Sequence, residues 1–100
     1  MSYKTNNKAF AVYVITDKPG GTLYIGMTNE LKKRIWEHIN NLQVGFSSRY
    51  QLKELVYFES HETAESAIKR EKQLKHYNRV WKIRLIKSKN PNWEDLYSSL

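Results

Sequence analysis

One hundred residues, 40% of them apolar and 13% aromatic, suffice for one domain with a real core and are too few for two. The chain has no cysteine, which excludes disulfide frameworks, thiolate zinc sites, iron–sulfur clusters and thiol nucleophiles. Seventeen lysines and arginines against ten acids give a net charge of +7, the first pointer to a polyanionic partner. The longest apolar run, Ala9 to Ile15, is far shorter than the ~20 residues a membrane span requires. No charged head precedes an apolar run of signal-peptide length. A soluble, cytoplasmic protein with no membrane partner and no obligate protein partner is the expectation.

Residues 1–8 read as a disordered polar tail, and 9–97 as a single domain. Phe10 to Thr16, rich in β-branched and aromatic residues, reads as a strand. Asp17-Lys18-Pro19-Gly20-Gly21 is a turn in which Pro presets φ and Gly tolerates positive φ. Thr22 to Gly26 reads as the returning strand of a hairpin. Asn29 is a candidate cap for a helix running to about Asn41, with an apolar stripe of Leu31, Ile35, Ile39 and Leu42. Gly45 to Tyr50 reads as a loop, and Leu52 to Glu59 as a third strand. A second helix is expected from near Ser60 to about Tyr77, with Glu62 and Glu65 near its positive end. A third is expected over Arg79 to Ser88, carrying Val80, Trp81, Ile83, Leu85 and Ile86. Asn90-Pro91 ends it, and Trp93, Leu96 and Tyr97 pack a short C-terminal turn onto the body. The order β-β-α-β-α-α, opening on a hairpin, predicts an α+β fold, a small three-stranded sheet that is at least partly antiparallel and is flanked by helices.

Polar residues that interrupt apolar stripes are the informative ones. On the second helix, Ala64, Ala67, Ile68 and Leu74 share a face, and Glu71 falls on it. A carboxylate there pairs with a base, lines a cleft or holds a metal; the plainer reading is an ion pair. On the first helix, Arg34 and His38 lie four apart and share a face, with His38 at the edge of the apolar stripe. In the hairpin, if Pro19 and Gly20 are the central turn residues, Tyr13 faces Gly26 and Ile15 faces Tyr24. Tyr13 and Tyr24 then share one face, diagonally placed, and Gly26 leaves space beside Tyr13. Two tyrosines packing a sheet core is the plainer alternative.

The charge is also local. Residues 69–89 hold nine basic side chains and one acid, Glu71, for +8, and the other 79 residues sum to −1. Lys69, Arg70, Lys72, Lys75, Arg79, Lys82 and Arg84 are the candidate phosphate contacts. Such a patch suits nucleic acid before membrane.

These residues fall into a recognisable pattern. Ala11-Val12-Tyr13, then Tyr24-Ile25-Gly26-Met27-Thr28-Asn29-Glu30-Leu31-Lys32-Lys33-Arg34-Ile35-Trp36-Glu37-His38, and later Ala67-Ile68-Lys69-Arg70-Glu71-Lys72-Gln73-Leu74-Lys75, resemble the GIY-YIG nuclease superfamily. The ending, Asn90-Pro91-Asn92-Trp93-Glu94-Asp95-Leu96, resembles its small stand-alone branch. The resemblance spans roughly Phe10 to Leu96. It implies a three-stranded antiparallel sheet flanked by helices, and metal-dependent phosphodiester hydrolysis, with Tyr13 and Tyr24 as the motif tyrosines, Arg34 as the catalytic arginine, His38 one turn later and Glu71 as the metal ligand. The first motif reads Ala-Val-Tyr in place of Gly-Ile-Tyr but keeps the tyrosine. For the family's late active-site Asn the candidates are Asn90, placed first, and Asn78.

Hydrolysis of a phosphodiester needs a poised water, charge stabilisation and help for the leaving oxygen. The resemblance implies Mg²⁺, or Mn²⁺, on Glu71, and a single carboxylate holds such an ion only jointly with substrate phosphate. Arg34 offers a planar donor fork to non-bridging oxygens. Tyr13 is the general base by analogy, although a free tyrosine titrates near ~10. His38, near ~6.5 in water, is the easier base chemically. The sequence leaves both open. Tyr24 suits a hydrogen bond to water or phosphate. The expected function is an endonuclease in DNA repair, recombination or processing, with DNA before RNA as partner. The alternatives are a non-cleaving nucleic-acid-binding module on the same fold and a domain without nucleic acid.

Overall fold

A computed structural model of the chain describes residues 9–42 and 45–100, apart from the Phe46 side chain. The tail expected over 1–8 lies outside the described residues. Three strands, β1 (Phe10–Thr16), β2 (Leu23–Thr28) and β3 (Glu54–His61), form one antiparallel sheet in the order β2-β1-β3. Helices α1 (Leu31–Ile39), α2 (Phe46–Arg49), α3 (Ala64–His76) and α4 (Arg79–Lys89) and a closing 3₁₀ turn, Leu96–Ser99, complete the described fold.

β1 is the central strand because it is apolar on both faces and is buried on both, a pattern that suits a strand covered from two sides. Its register with β2 follows from the turn. Gly20 takes φ +72°, and the Gly21 N–H donates to the Lys18 carbonyl at 2.8 Å. That closure sets Tyr13 opposite Gly26 and Ile15 opposite Tyr24, as expected. The pairing of β1 with β3 carries a bulge instead. Val14 faces Tyr57 and Ile15 faces Leu55, leaving Val56 as the extra residue.

The alternation of β1 divides the core. Val12 and Val14, with Ile25 and Tyr57, pack against Ala67 and Leu74 of α3, Ile86 of α4 and Trp93. Tyr13 and Ile15, with Leu55, pack against Ile35 of α1 and Leu52. Leu96, Tyr97 and Leu100 of the closing turn seal this second layer, and Trp93 joins the first. The C-terminal packing inferred from those residues is therefore present.

Several element ends differ from the expectation. Glu30, not Asn29, occupies the α1 cap position, its N–H donating to Thr28 Oγ1 at 3.0 Å. α1 stops at Ile39, so Leu42 leaves the stripe and is 58% exposed. The loop expected at Gly45 to Tyr50 contains one helical turn, α2, followed by the buried anchor Leu52, whose N–H donates to the Ser47 carbonyl. β3 starts and ends two residues late, and α3 begins at Ala64, where Thr63 Oγ1 accepts from the Ser66 N–H at 3.1 Å. Ile68 faces outward from α3, and Val80 and Trp81 face outward from α4.

Candidate active site

The site is built on the sheet face that carries Tyr13 and Tyr24, under α1. Tyr13 is fixed by its strand and by what lies across from it. A Cβ at Gly26 would sit 2.5 Å from both the Tyr13 Cζ and its hydroxyl oxygen. Glycine is thus what lets the ring lie flat over β2. Tyr13 is 1% exposed, and its Oη lies 3.0 Å from His38 Nε2. His38 reaches it from α1 because Ile35, one turn earlier, is buried in the same layer. The other imidazole nitrogen, Nδ1, lies 3.0 Å from Ser47 Oγ on α2. Tyr24 flanks the imidazole from β2, with ring centroids 6.0 Å apart.

Burial sets the charge states in this chain. Burial pushes the Tyr13 hydroxyl up to about 12, against the opposing hydrogen bond from Arg34; the nearby Tyr24 and Glu71 also raise it. Burial lowers the His38 pKa, and the Arg34 cation lowers it further. At neutral pH Tyr13 therefore keeps its proton and His38 is uncharged. The neutral imidazole presents one N–H and one acceptor nitrogen, and its two nitrogens lie within hydrogen-bond reach of the Tyr13 and Ser47 hydroxyls. Arg34 is half-buried, with Nε 3.3 Å from Glu37 Oε1.

Tyr13, Tyr24, Arg34 and His38 are thus brought together, and Glu71 on α3 is close enough for its charge to act on Tyr13. Glu71 lies three residues before buried Leu74 and four after buried Ala67, and pairs with Lys75 at 3.0 Å. Among the described residues there is no cluster of three or more His, Cys, Asp or Glu side chains suited to hold a metal. The carboxylate whose charge acts on Tyr13 is the half-buried Glu71. That fits a hard divalent ion which keeps most of its waters and shares its site with phosphate.

Asn90 is placed differently. It is buried at the end of α4, where Nδ2 donates to the Val56 and Glu94 carbonyls at 3.0 and 2.9 Å, and Oδ1 accepts from the Glu94 N–H. Its amide is spent on the fold. Asn78, the second candidate, caps α4 by accepting from the Trp81 N–H at 2.9 Å. Three of the basic residues expected on phosphate are engaged within the protein. Arg70 donates to Glu59 and Gln73, Lys75 pairs with Glu71, and Arg79 donates to the Gly20 and Gly21 carbonyls of the hairpin turn. Glu59 also accepts from Tyr57 at 2.5 Å and lies 2.7 Å from His61 Nε2. Burial would raise its pKa, but these bonds outweigh it and hold the carboxyl low. Lys69, Lys72, Lys82 and Arg84 remain as phosphate candidates.

The sequence reading missed Ser47. It sits in a segment read as loop, and only the folded chain brings it to a histidine nine residues earlier. A small hydroxyl residue beside a bulky apolar one, Phe46-Ser47, was the sole signal.

A three-stranded antiparallel sheet with Tyr13 and Tyr24 on one face, Arg34 and His38 over it and Glu71 on the following helix defines a class. The GIY-YIG catalytic domain model matches residues 9–84, and the chain belongs to the GIY-YIG family, whose catalytic domain is that of an endonuclease. Among its relatives, a UPF0213 protein of Staphylococcus saprophyticus is 33% identical over 75 residues, covering 75% of this chain and 90% of that protein. A UPF0213 protein of Staphylococcus aureus is 33% identical over 78 residues, covering 78% and 94%. The solution NMR structure of a UPF0213 protein of Bacillus halodurans superposes with a TM-score of 0.56 at 25% identity, covering 87% of this chain and 92% of that one.

Proposed function

We propose that this protein is a divalent-metal-dependent endonuclease that hydrolyses phosphodiester bonds in DNA, serving repair, recombination or DNA processing in the cytoplasm. The observation that carries the reading is the buried chain Ser47–His38–Tyr13, with Arg34 beside it. Burying a tyrosine hydroxyl and an imidazole in a core is costly unless each finds a partner. Here the partners are one another, aligned for proton transfer.

A Tyr13 hydroxyl held near 12 is a poor free base. It needs no free tyrosinate if it hands its own proton to His38 Nε2 while taking one from the attacking water. The imidazolium formed is stabilised by Ser47 Oγ, which accepts from Nδ1. This joins the two bases that the sequence left as alternatives into one relay. Arg34 supplies a donor fork for the non-bridging oxygens, where charge develops in the transition state. Tyr24, beside the imidazole, helps seat the water or the phosphate. Glu71 would hold Mg²⁺ or Mn²⁺ together with substrate phosphate, after Lys75 lets go of the carboxylate. When bound, such an ion stabilises the pentacoordinate phosphorus and the leaving 3′ oxygen.

A binding module on the same fold would bind these substrates and cut none. The test is a cleavage panel of duplex, branched and single-stranded DNA, with RNA beside them, in Mg²⁺ and Mn²⁺, run against Glu71→Ala. Loss of cutting is expected, with affinity unchanged or slightly higher, because a negative charge leaves a +8 stretch. Cutting at the original rate would place the metal elsewhere. Unfolding would make Glu71 a structural partner of Lys75.

A further inference from the structure

A groove of about 580 Å³ runs along the outer side of α1, lined by Asn29, Leu31, Lys32, Lys33, Trp36 and Tyr97, with Glu30 at its edge. Arg34 belongs to a smaller notch of about 70 Å³ that shares Asn29, Glu30 and Lys33 with this groove. The two lie side by side, with these three residues as a common rim. Helix geometry explains how. Arg34 and His38 share the face turned to the tyrosines, and Lys33 and Trp36, three apart, share the adjacent face. A strand that lay on Arg34 and crossed the shared rim at Lys33 would reach Trp36.

We infer that this groove is a subsite for one unpaired nucleobase next to the scissile phosphate, with the base stacked on the Trp36 indole and its flanking phosphate on Lys33. The inference rests on the nuclease reading above and names its substrate class: nucleic acid with single-stranded nucleotides at the cut. Trp36 is 49% exposed, although an indole is among the side chains that gain most from a covering partner. Tyr97 is anchored against the core below it and forms a firm second wall. The charges around groove and notch nearly balance, with Lys32, Lys33 and Arg34 against Glu30 and Glu37. An acidic peptide would meet both carboxylates, whereas the uncharged plane of a base meets the ring and leaves the lysines to its phosphate. Asn29 at the rim offers an amide donor and acceptor to a base edge.

The test measures affinity by fluorescence anisotropy in EDTA, so that nothing is cut, with a single-stranded oligonucleotide, a flapped duplex and a blunt duplex. Stacking energies predict that Trp36→Ala weakens the single-stranded and flapped substrates about tenfold. The blunt duplex should change less than twofold, with the salt dependence unaltered. Trp36→Phe, which keeps an aromatic face, should recover most of the loss and also guards against a folding artefact. Equal loss on all three substrates, or no loss on any, overturns the subsite and leaves the nuclease reading standing. A wild-type chain that binds none of the three overturns both.

Discussion

Tyr13 illustrates how one residue's chemistry depends on its neighbours. Its hydroxyl is useful because Gly26 makes room for the ring and His38 takes its proton. Ser47 Oγ, 3.0 Å from the other imidazole nitrogen, completes the chain. This gives a pH prediction. Burial and Arg34 hold His38 below its ordinary value of 6.5, and only the neutral form accepts a proton. The cleavage rate should therefore rise along an acidic limb centred below 6.5 and stay flat to well above neutrality, with no limb from Tyr13 until near 12. In Ser47→Ala the imidazolium loses its acceptor. The limb should move further to the acid side and the plateau rate should fall, and Ser47→Thr should restore both. A pH–rate profile that is the same in all three proteins would remove Ser47 from the relay. The same shift acts on stability. A histidine with a lowered folded-state pKa contributes fully above about 6.5 and loses that contribution as pH falls through its folded value.

At the scale of elements, α4 is bound to the sheet at both ends by polar contacts. At its start, Arg79 donates to the hairpin turn between β1 and β2. At its end, Asn90 donates to the Val56 carbonyl at the bulge of β3 and closes the turn leading to Trp93. Removing that amide orphans a buried carbonyl and deletes three hydrogen bonds. Asn90→Ala should cost about 3 kcal/mol at roughly 1 kcal/mol per bond, read as a lower urea midpoint. The rate per folded molecule should stay within about twofold of wild type. A stable Asn90→Ala protein that no longer cuts would return Asn90 to the active site. Much at this scale was legible beforehand, including the hairpin register, the strand order in sequence and the α+β class. The ends were not. Asn29 looked like a cap, yet the chain enters α1 one residue later, because Thr28 Oγ1 holds the Glu30 N–H. Ile68 and Leu42 looked like core, and the helices turn them outward.

Taken whole, the molecule packs Tyr13 and Ile15 with Ile35 of α1 and packs Val12 and Val14 with α3 and α4, the helices that carry the basic stretch and Glu71, whose charge still acts on Tyr13. Three of the seven expected phosphate contacts have protein partners, which leaves Lys69, Lys72, Lys82 and Arg84. With Arg34, five phosphate contacts predict a slope of about −4.5 for log K against log salt on duplex DNA. Isothermal titration or anisotropy across a salt series measures it, and a flat line would exclude phosphate-led binding.

Residue identity and spacing alone determined the fold class, the pairing of Tyr13 with Gly26, the shared face of Arg34 and His38, and the place of Glu71 on an apolar stripe. All of these are local periodicities, fixed by a two-residue repeat in strands and a 3.6-residue repeat in helices. The tertiary structure decided what depends on distance through space. It joined Ser47 to His38 and His38 to Tyr13, and it buried the three together. It drew Arg70, Lys75, Arg79 and Asn90 into the fold, and it left Trp36 half-exposed in a groove beside the notch that holds Arg34. The reason is physical. Burial and the dielectric around a group are set by every element packed against it, and no window of sequence contains them all.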